Sequence, residues 1–344
     1  MAFTHVKQTF AWVDIEPARG DLRFDQADVL LTLLESRGLR VIARLTDAPA
    51  WSHPSIMNEQ AAGYVDAPPD NVDDYANYCF AIASRYRGRI AAYQIWNEPN
   101  LSREWGGREP NAAAYTHLLR QCSAAIRRAD QNAIIISAGL APTGTYDVTA
   151  YPDDVYLQQL YDAGFQNYID VVGMHAPGYS EPSLSPDQVQ ADGRQRFFTF
   201  RRVEDLRRIM VANGDAARQV AILEMGWTTD QVNPSYSWFA VDEPTQAQYL
   251  VEAYAYAAAH WNPWVGLVST IYIASPTWTA ANEETWWSVT TPDGRTRPAY
   301  VALANMPKYC GDVTIPERAG DSPESLGQII APNCLTYNNP SATP

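Results

Sequence analysis

Residues 91–100 read Ala-Ala-Tyr-Gln-Ile-Trp-Asn-Glu-Pro-Asn (AAYQIWNEPN). The apolar run predicts a buried strand that stops abruptly at Trp96-Asn97-Glu98-Pro99. Proline has no N–H for the ladder, so the chain leaves the sheet there and Glu98 falls at the strand's C-terminal lip. A carboxylate beside Trp and Pro is partly desolvated, which disfavours its charged form; a general acid working near neutrality needs that. The bland alternative is an ordinary surface glutamate at a strand end.

Outward from this strand, short apolar runs alternate with amphipathic segments. Strands are expected at 5–13, 39–45, 90–96, 133–138, 169–174, 219–223 and 267–273. Several are continuous (VIARL, AIIIS, VAIL), as in parallel strands buried on both faces. Helices are expected at 26–37 (Asp25 as N-cap, Gly38 as stop), 72–86, 111–129, 200–213, 245–260 and 299–306. Strand–helix alternation reads as α/β with a parallel sheet. No G-x-G-x-x-G or G-x-x-x-x-G-K-[ST] occurs, which weakens an open, nucleotide-binding sheet. Long polar loops at 52–70, 178–195 and 228–242 follow strands, which suits a (β/α)8 TIM-type barrel with its site on the C-terminal rim.

Of the 344 residues, 25 are Lys or Arg and 39 Asp or Glu, a formal charge of −14. Such a surface repels polyphosphate, so neither nucleic acid nor an anionic membrane is expected as a partner. At 46% hydrophobic and 19% charged the chain can bury a large core. No run approaches the roughly 18 apolar residues of a membrane span, and no signal peptide is visible. Cys79 and Cys122 fall on apolar helix faces and are expected as buried free thiols. Cys310 and Cys334 bracket a polar tail, 307–344, that a bridge would staple, implying an oxidising compartment. The five His lack metal-ligand spacing, and no metal or organic cofactor is expected.

A second apolar strand, QVAILEMGW (219–227), also ends in a glutamate, Glu224. Two glutamates at two strand ends of one barrel can face each other across its mouth. About 5–5.5 Å apart they act as acid/base and nucleophile in a retaining glycosidase; about 6.5–9.5 Å fits an inverting one. Alone, Glu224 reads equally as a cap of the next loop.

Trp96-Asn97-Glu98-Pro99 with Glu224-Met225-Gly226-Trp227 resembles the retaining (β/α)8 glycoside hydrolase clan that includes families 5 and 39. The resemblance covers nearly all of 6–307, including FAWVDIEPARGDLRFD at 10–25, the run ending at Trp51, and 170–175. It implies Glu98 as acid/base, Glu224 as nucleophile, and Asn97 as the partner of a sugar 2-hydroxyl. It departs in three places. The Asn-Glu pair ends the third strand here, where the clan has it on the fourth, so the first β/α unit looks missing from this chain unless a segment such as 326–331 fills the gap. His-x-Tyr becomes His175-Ala176-Pro177-Gly178-Tyr179, with Tyr179 as substitute. The clan's last-strand Trp is absent from 271–274, leaving Trp278 as the platform. His175 is expected to bind substrate. Lys7 stands where relatives carry an Arg, without its bidentate fork; Arg44 could supply that charge or sit in a structural ion pair.

Trp12, Trp51, Trp105, Trp227, Trp238, Trp278, Trp286 and Trp287 all lie at or after strand ends. Each singly reads as core packing; as a set they point to a carbohydrate cleft, with Trp12, Trp227 and Trp278 as sugar platforms. Asp14, Glu16, Glu181, Glu283 and Glu284 read as solvated acids. The expectation is one barrel domain, 1–306, plus the tail, hydrolysing a β-glycosidic bond of an oligo- or polysaccharide with retention. Transglycosylation at the same site and a non-catalytic carbohydrate-binding barrel are the alternatives. An extracellular location is expected if the chain is an N-terminally truncated piece.

Overall fold

The computed structural model describes residues 3–57, 66–310 and 313–315. Seven strands follow one another in the sheet in sequence order: β1 His5–Ala11, β2 Arg40–Thr46, β3 Ile90–Ile95, β4 Ile135–Ile136, β5 Val171–Pro177, β6 Gln219–Gly226 and β7 Val265–Thr270. The pairings of β1 through β5 are parallel. The chain divides into two compact units. One holds His5–His175 with Val203–Leu223; the other holds Ala176–Arg202 and the described chain from Glu224 on. Among the described residues no helix is long and apolar enough to cross a membrane.

In the first unit, helices Val72–Arg85 and Ala112–Ala129 start where Asn71 and Asn111 accept backbone N–H bonds from Asp73 and Ala114. Both bury apolar faces at helical spacing: Tyr75, Tyr78, Cys79 and Ile82 on one, Tyr115, Leu118, Leu119, Cys122 and Ile126 on the other. The faces meet closely enough that Cys79 and Cys122 are joined in a disulfide, with Cα atoms 5.5 Å apart. The expectation of two free thiols is therefore corrected. Periodicity placed each sulfur correctly on its own helix but cannot register one helix against another. A loop of this length constrains the unfolded chain by about 3–4 kcal/mol.

The abundant tyrosines serve the strand ends. Tyr78 donates to the carbonyl of Phe10 on β1. Tyr75 donates to Leu45 of β2 at 2.7 Å, and Tyr115 to Ile95 of β3 at 2.9 Å while accepting from the Ala138 N–H. Each phenol adds a donor to a carbonyl near a strand's C-terminal end, so these strand ends are fixed from behind.

Helix Asp25–Ser36 begins at Asp25 itself, with Phe24 at the cap position and no side-chain cap bond. Asp25 thus sits in the first turn, where its charge meets the positive helix end. Helix Asp153–Asp162, not expected above, buries Tyr156, Leu157, Leu160 and Tyr161. The expected helix at 200–213 starts as a 3-10 turn, Phe200–Arg202, followed by helix Val203–Ala212.

In the second unit, Asp242 caps helix Glu243–His260, which packs on helix Pro298–Asn305. The buried Lys308 ammonium donates to Leu303 and Met306 carbonyls at 2.7 and 2.5 Å, closing that helix's C-terminus. Strands Lys308–Cys310 and Val313–Ile315 form an antiparallel pair. Cys334, with the expected Cys310–Cys334 bridge, and the gap-filling candidate at 326–331 lie outside the described residues.

Candidate active site

Glu98 sits just past β3 on a contorted turn. Trp96 and Glu98 both have positive φ, 69° and 34°, a conformation costly for residues with a Cβ. The turn is held from several sides. The Trp96 N–H donates to Leu45, its indole N–H to the Glu104 carbonyl at 2.8 Å, and the Glu98 N–H to the Gly139 carbonyl at 3.1 Å. Gln94 donates to the Trp96 carbonyl at 2.9 Å.

The turn delivers a Glu98 side chain that is 12% exposed and gripped at both oxygens. Oε1 lies 2.8 Å from His175 Nδ1, and Oε2 lies 3.2 Å from Arg103 Nη2. His175 is buried on β5. With Glu98 ionised, Nδ1 carries the proton; with Glu98 protonated, the same contact runs the other way. His175 therefore touches the expected acid directly. Asn97, next to it, is also buried, and its Oδ1 has no hydrogen-bond partner among the described residues.

Room for the imidazole is made by Gly139. A Cβ there would lie 2.1 Å from His175 Cδ2 and 2.3 Å from Nε2. Gly139→Ala is thus expected to push the ring off Glu98, with activity falling on the order of 10²-fold as the carboxylate loses its orientation. A thermal melt and a kcat/KM measurement on the same preparation check this; a fully active Gly139→Ala protein would show that the ring position is immaterial.

Behind Glu98 lies a second layer of acids that the sequence reading missed. Burial first, then the negative charges of Glu98 and Asp66, push the Glu104 carboxyl up to about 8, against the opposing pull of Arg103 and Arg44. Asp66 is pushed up to about 7 by burial and by its hydrogen bond with Asp47. Native Glu104 keeps its proton up to about pH 8, while the unfolded chain releases it near 4.5. Between those values the native state binds more protons, so stability falls as pH rises, by up to about 1.4 kcal/mol per pH unit. The Tm is expected to drop from pH 5 to pH 8, and Glu104→Gln to flatten that slope. Parallel slopes for the two proteins would place the titration elsewhere.

Lys7 is half-buried within β1, in register with Ile42 of β2; Arg44 donates its Nε to Thr9 Oγ1 at 3.0 Å. Trp12 is not a sugar platform: it is fully buried, stacked on Tyr78, with its N–H on Glu16 Oε2 at 2.8 Å. Glu16 is correspondingly buried, not solvated, and also accepts from the Gly20 N–H.

In the second unit, Glu224 is the half-exposed residue at the end of a buried strand, between Leu223 and Met225. The strand end is fixed by Ile271 N–H to the Met225 carbonyl at 3.0 Å and Gly178 N–H to the Gly226 carbonyl at 2.7 Å. Trp227 is fully buried and offers no face. Its N–H holds Ser180 at 2.9 Å, and a Cβ on Gly178 would fall 1.8 Å from its ring. Trp12 and Trp227 were misread for one reason: a strand-end position does not reveal whether the following loop turns the ring in or out. Trp278 is half-exposed, set edge-on against Tyr272 with centroids 5.6 Å apart. Tyr179 lies among Phe198, Trp238 and Phe239.

The family profile described as Cellulase (glycosyl hydrolase family 5) matches residues 3–181. No curated protein matches the chain. Solved structures share its fold. A family 39 glycoside hydrolase from Bacteroides cellulosilyticus WH2 is similar at 18% identity and TM-score 0.61, over 88% of this chain and 57% of its own. A fungal β-1,4-galactanase is 17% identical at TM-score 0.57, over 89% and 88%. Xylanase 10B from Thermotoga petrophila RKU-1 is 15% identical at TM-score 0.55, over 88% and 84%. The chain spans only 57% of that family 39 hydrolase and 58% of a similar glucosidase from Croceicoccus marinus.

Proposed function

The chain belongs to the cellulase family, glycosyl hydrolase family 5, and from that premise we propose that it hydrolyses a β-glycosidic bond of an oligo- or polysaccharide with retention. The observation that carries the reading is Glu98: a carboxyl on a strained turn at a strand's C-terminal end, held by His175 at 2.8 Å.

In the first step the Glu224 carboxylate attacks the anomeric carbon as Glu98 gives its proton to the departing glycosidic oxygen. The C–O bond to the leaving sugar breaks and a glycosyl ester forms on Glu224. In the second step Glu98, now ionised, takes a proton from water while the water oxygen attacks the same carbon. The ester breaks, Glu224 is again a carboxylate and Glu98 again an acid. Asn97 suits the sugar 2-hydroxyl, since its buried Oδ1 is an acceptor without a partner among the described residues. That bond strengthens in the transition state. Trp278 is the remaining sugar platform. The Cys79–Cys122 bridge supports work in an oxidising, extracellular setting.

The test is a panel of aryl β-glycosides, with proton NMR of the first sugar anomer released. The β-anomer is expected to appear first and then mutarotate. Release of the α-anomer, or no turnover of the panel and of xylan, galactan and glucan, would overturn the proposal.

A further inference from the structure

Two loops of the second unit bring together Tyr179, Phe197, Phe198, Trp238 and Phe239. Tyr179 lies 4.9 Å from Phe198, 4.8 Å from Phe239 and 6.0 Å from Trp238, ring centre to ring centre. Phe198 and Phe239 meet Trp238 at 4.9 and 4.7 Å. Yet Trp238 is 57% exposed. Hydrophobic packing between loops would hide its largest ring first, and here it stays in water.

These loops also carry polar anchors of their own. Asp230 Oδ1 accepts from the Val232 and Asn233 N–H groups at 2.9 Å each, and Thr229 N–H reaches the Trp286 carbonyl at 3.0 Å. On the other loop Thr199 donates to the Leu184 carbonyl at 2.5 Å. The indole N–H of Trp238 is occupied by Ser235 at 3.1 Å, so the ring offers its surface and not its donor. It is nearly parallel to Tyr179, at 24°, and backed edge-on by Phe198. Such a braced, wet aromatic face suits the apolar C–H face of a pyranose.

Position and charge narrow the occupant. The Gly178–Gly226 backbone bond places Tyr179 beside the strand end that carries Glu224. The platform therefore belongs to the same unit as Glu224 and lies next to its strand end. The formal charge of −14 disfavours an acidic glycan. One exposed indole with half-exposed neighbours is far smaller than the roughly 1,000 Å² a stable protein interface needs.

We propose that the aromatic face of Tyr179, Phe198, Trp238 and Phe239 is a sugar-binding subsite for a unit removed from the scissile bond of a neutral β-linked polysaccharide. It rests on the glycosidase reading above, and it gives the enzyme a preference for chains over short glycosides.

Affinity electrophoresis of the full chain through arabinoxylan, β-1,4-galactan and mixed-linkage β-glucan tests it, together with kcat/KM on the polymer and on an aryl glycoside. At least one glycan is expected to retard the wild type. Trp238→Ala should weaken that affinity about tenfold and lower the polymer-to-aryl ratio of kcat/KM about tenfold; Trp238→Phe should restore part of both. Absence of retardation, equal retardation of wild type and Trp238→Ala, or a dimer by sedimentation that Trp238→Ala dissolves would each overturn the subsite. An unchanged ratio in an enzyme that still cleaves aryl glycosides with retention sinks this inference alone. Ring-dependent binding without any hydrolysis sinks the glycosidase reading alone.

Discussion

Glu224→Ala is expected to lower kcat/KM on the order of 10⁵-fold, because no covalent intermediate can then form. The fold should survive. Glu224 is half-exposed, its strand neighbours Leu223 and Met225 are buried, and the bonds that fix the strand end come from backbone groups of Met225, Gly226, Gly178 and Ile271. Truncation leaves a small space where a carboxylate stood. Azide can enter it and attack the anomeric carbon from the same side, so rescue by azide should give the glycosyl azide of inverted, α configuration. A loss below tenfold, or rescue that yields only the β-azide, would remove Glu224 from the nucleophile's role.

Much of this arrangement was legible because local chemistry dictates it. β3 stops at Ile95 and Pro99, lacking an N–H, cannot resume a ladder, so the placement of Glu98 just past a strand end follows from the residue types. Tyr75, Tyr78 and Cys79 face inward because their helix has a 3.6-residue period. Helix Asp153–Asp162 was also readable in principle, from Asp153-Asp154 in the first turn, Tyr156, Leu157, Leu160 and Tyr161 on one face, and Gly164 beyond. What the sequence alone could not yield were relations between segments. The Cys79–Cys122 bond depends on the approach of two helices, and the His175–Glu98 bond on the approach of two strands. The need for glycine at 139 is a demand of a ring thirty-six positions away. Trp12 and Trp227 failed as sugar platforms for the same reason: their burial is decided by Tyr78 and Glu16 in one case and by Gly178 and Ser180 in the other. The acids Asp47, Asp66 and Glu104 carried no motif, and only their meeting behind Glu98 makes them notable.

Glu98→Ala should separate the two chemical steps. A leaving group that departs readily as an anion, such as dinitrophenolate, needs no proton, so bond breaking should stay close to the wild-type rate. A sugar alcohol needs one, and its departure should slow by about 10²–10⁴-fold. Deglycosylation suffers for every substrate, since the base that activates water is gone. The variant should therefore show a burst of dinitrophenol, a low apparent KM and slow steady-state turnover. Azide needs no base, so it should restore turnover and give the β-azide, opposite to the product from Glu224→Ala. Loss of the carboxylate also removes the partner of His175 Nδ1 and Arg103 Nη2, held at 2.8 and 3.2 Å. That structural cost falls on all substrates alike, whereas loss of a proton donor scales with the basicity of the leaving group. A uniform loss across leaving groups, with no burst and no rescue, would make Glu98 a structural acid, and the proton would have to come from another group on the rim.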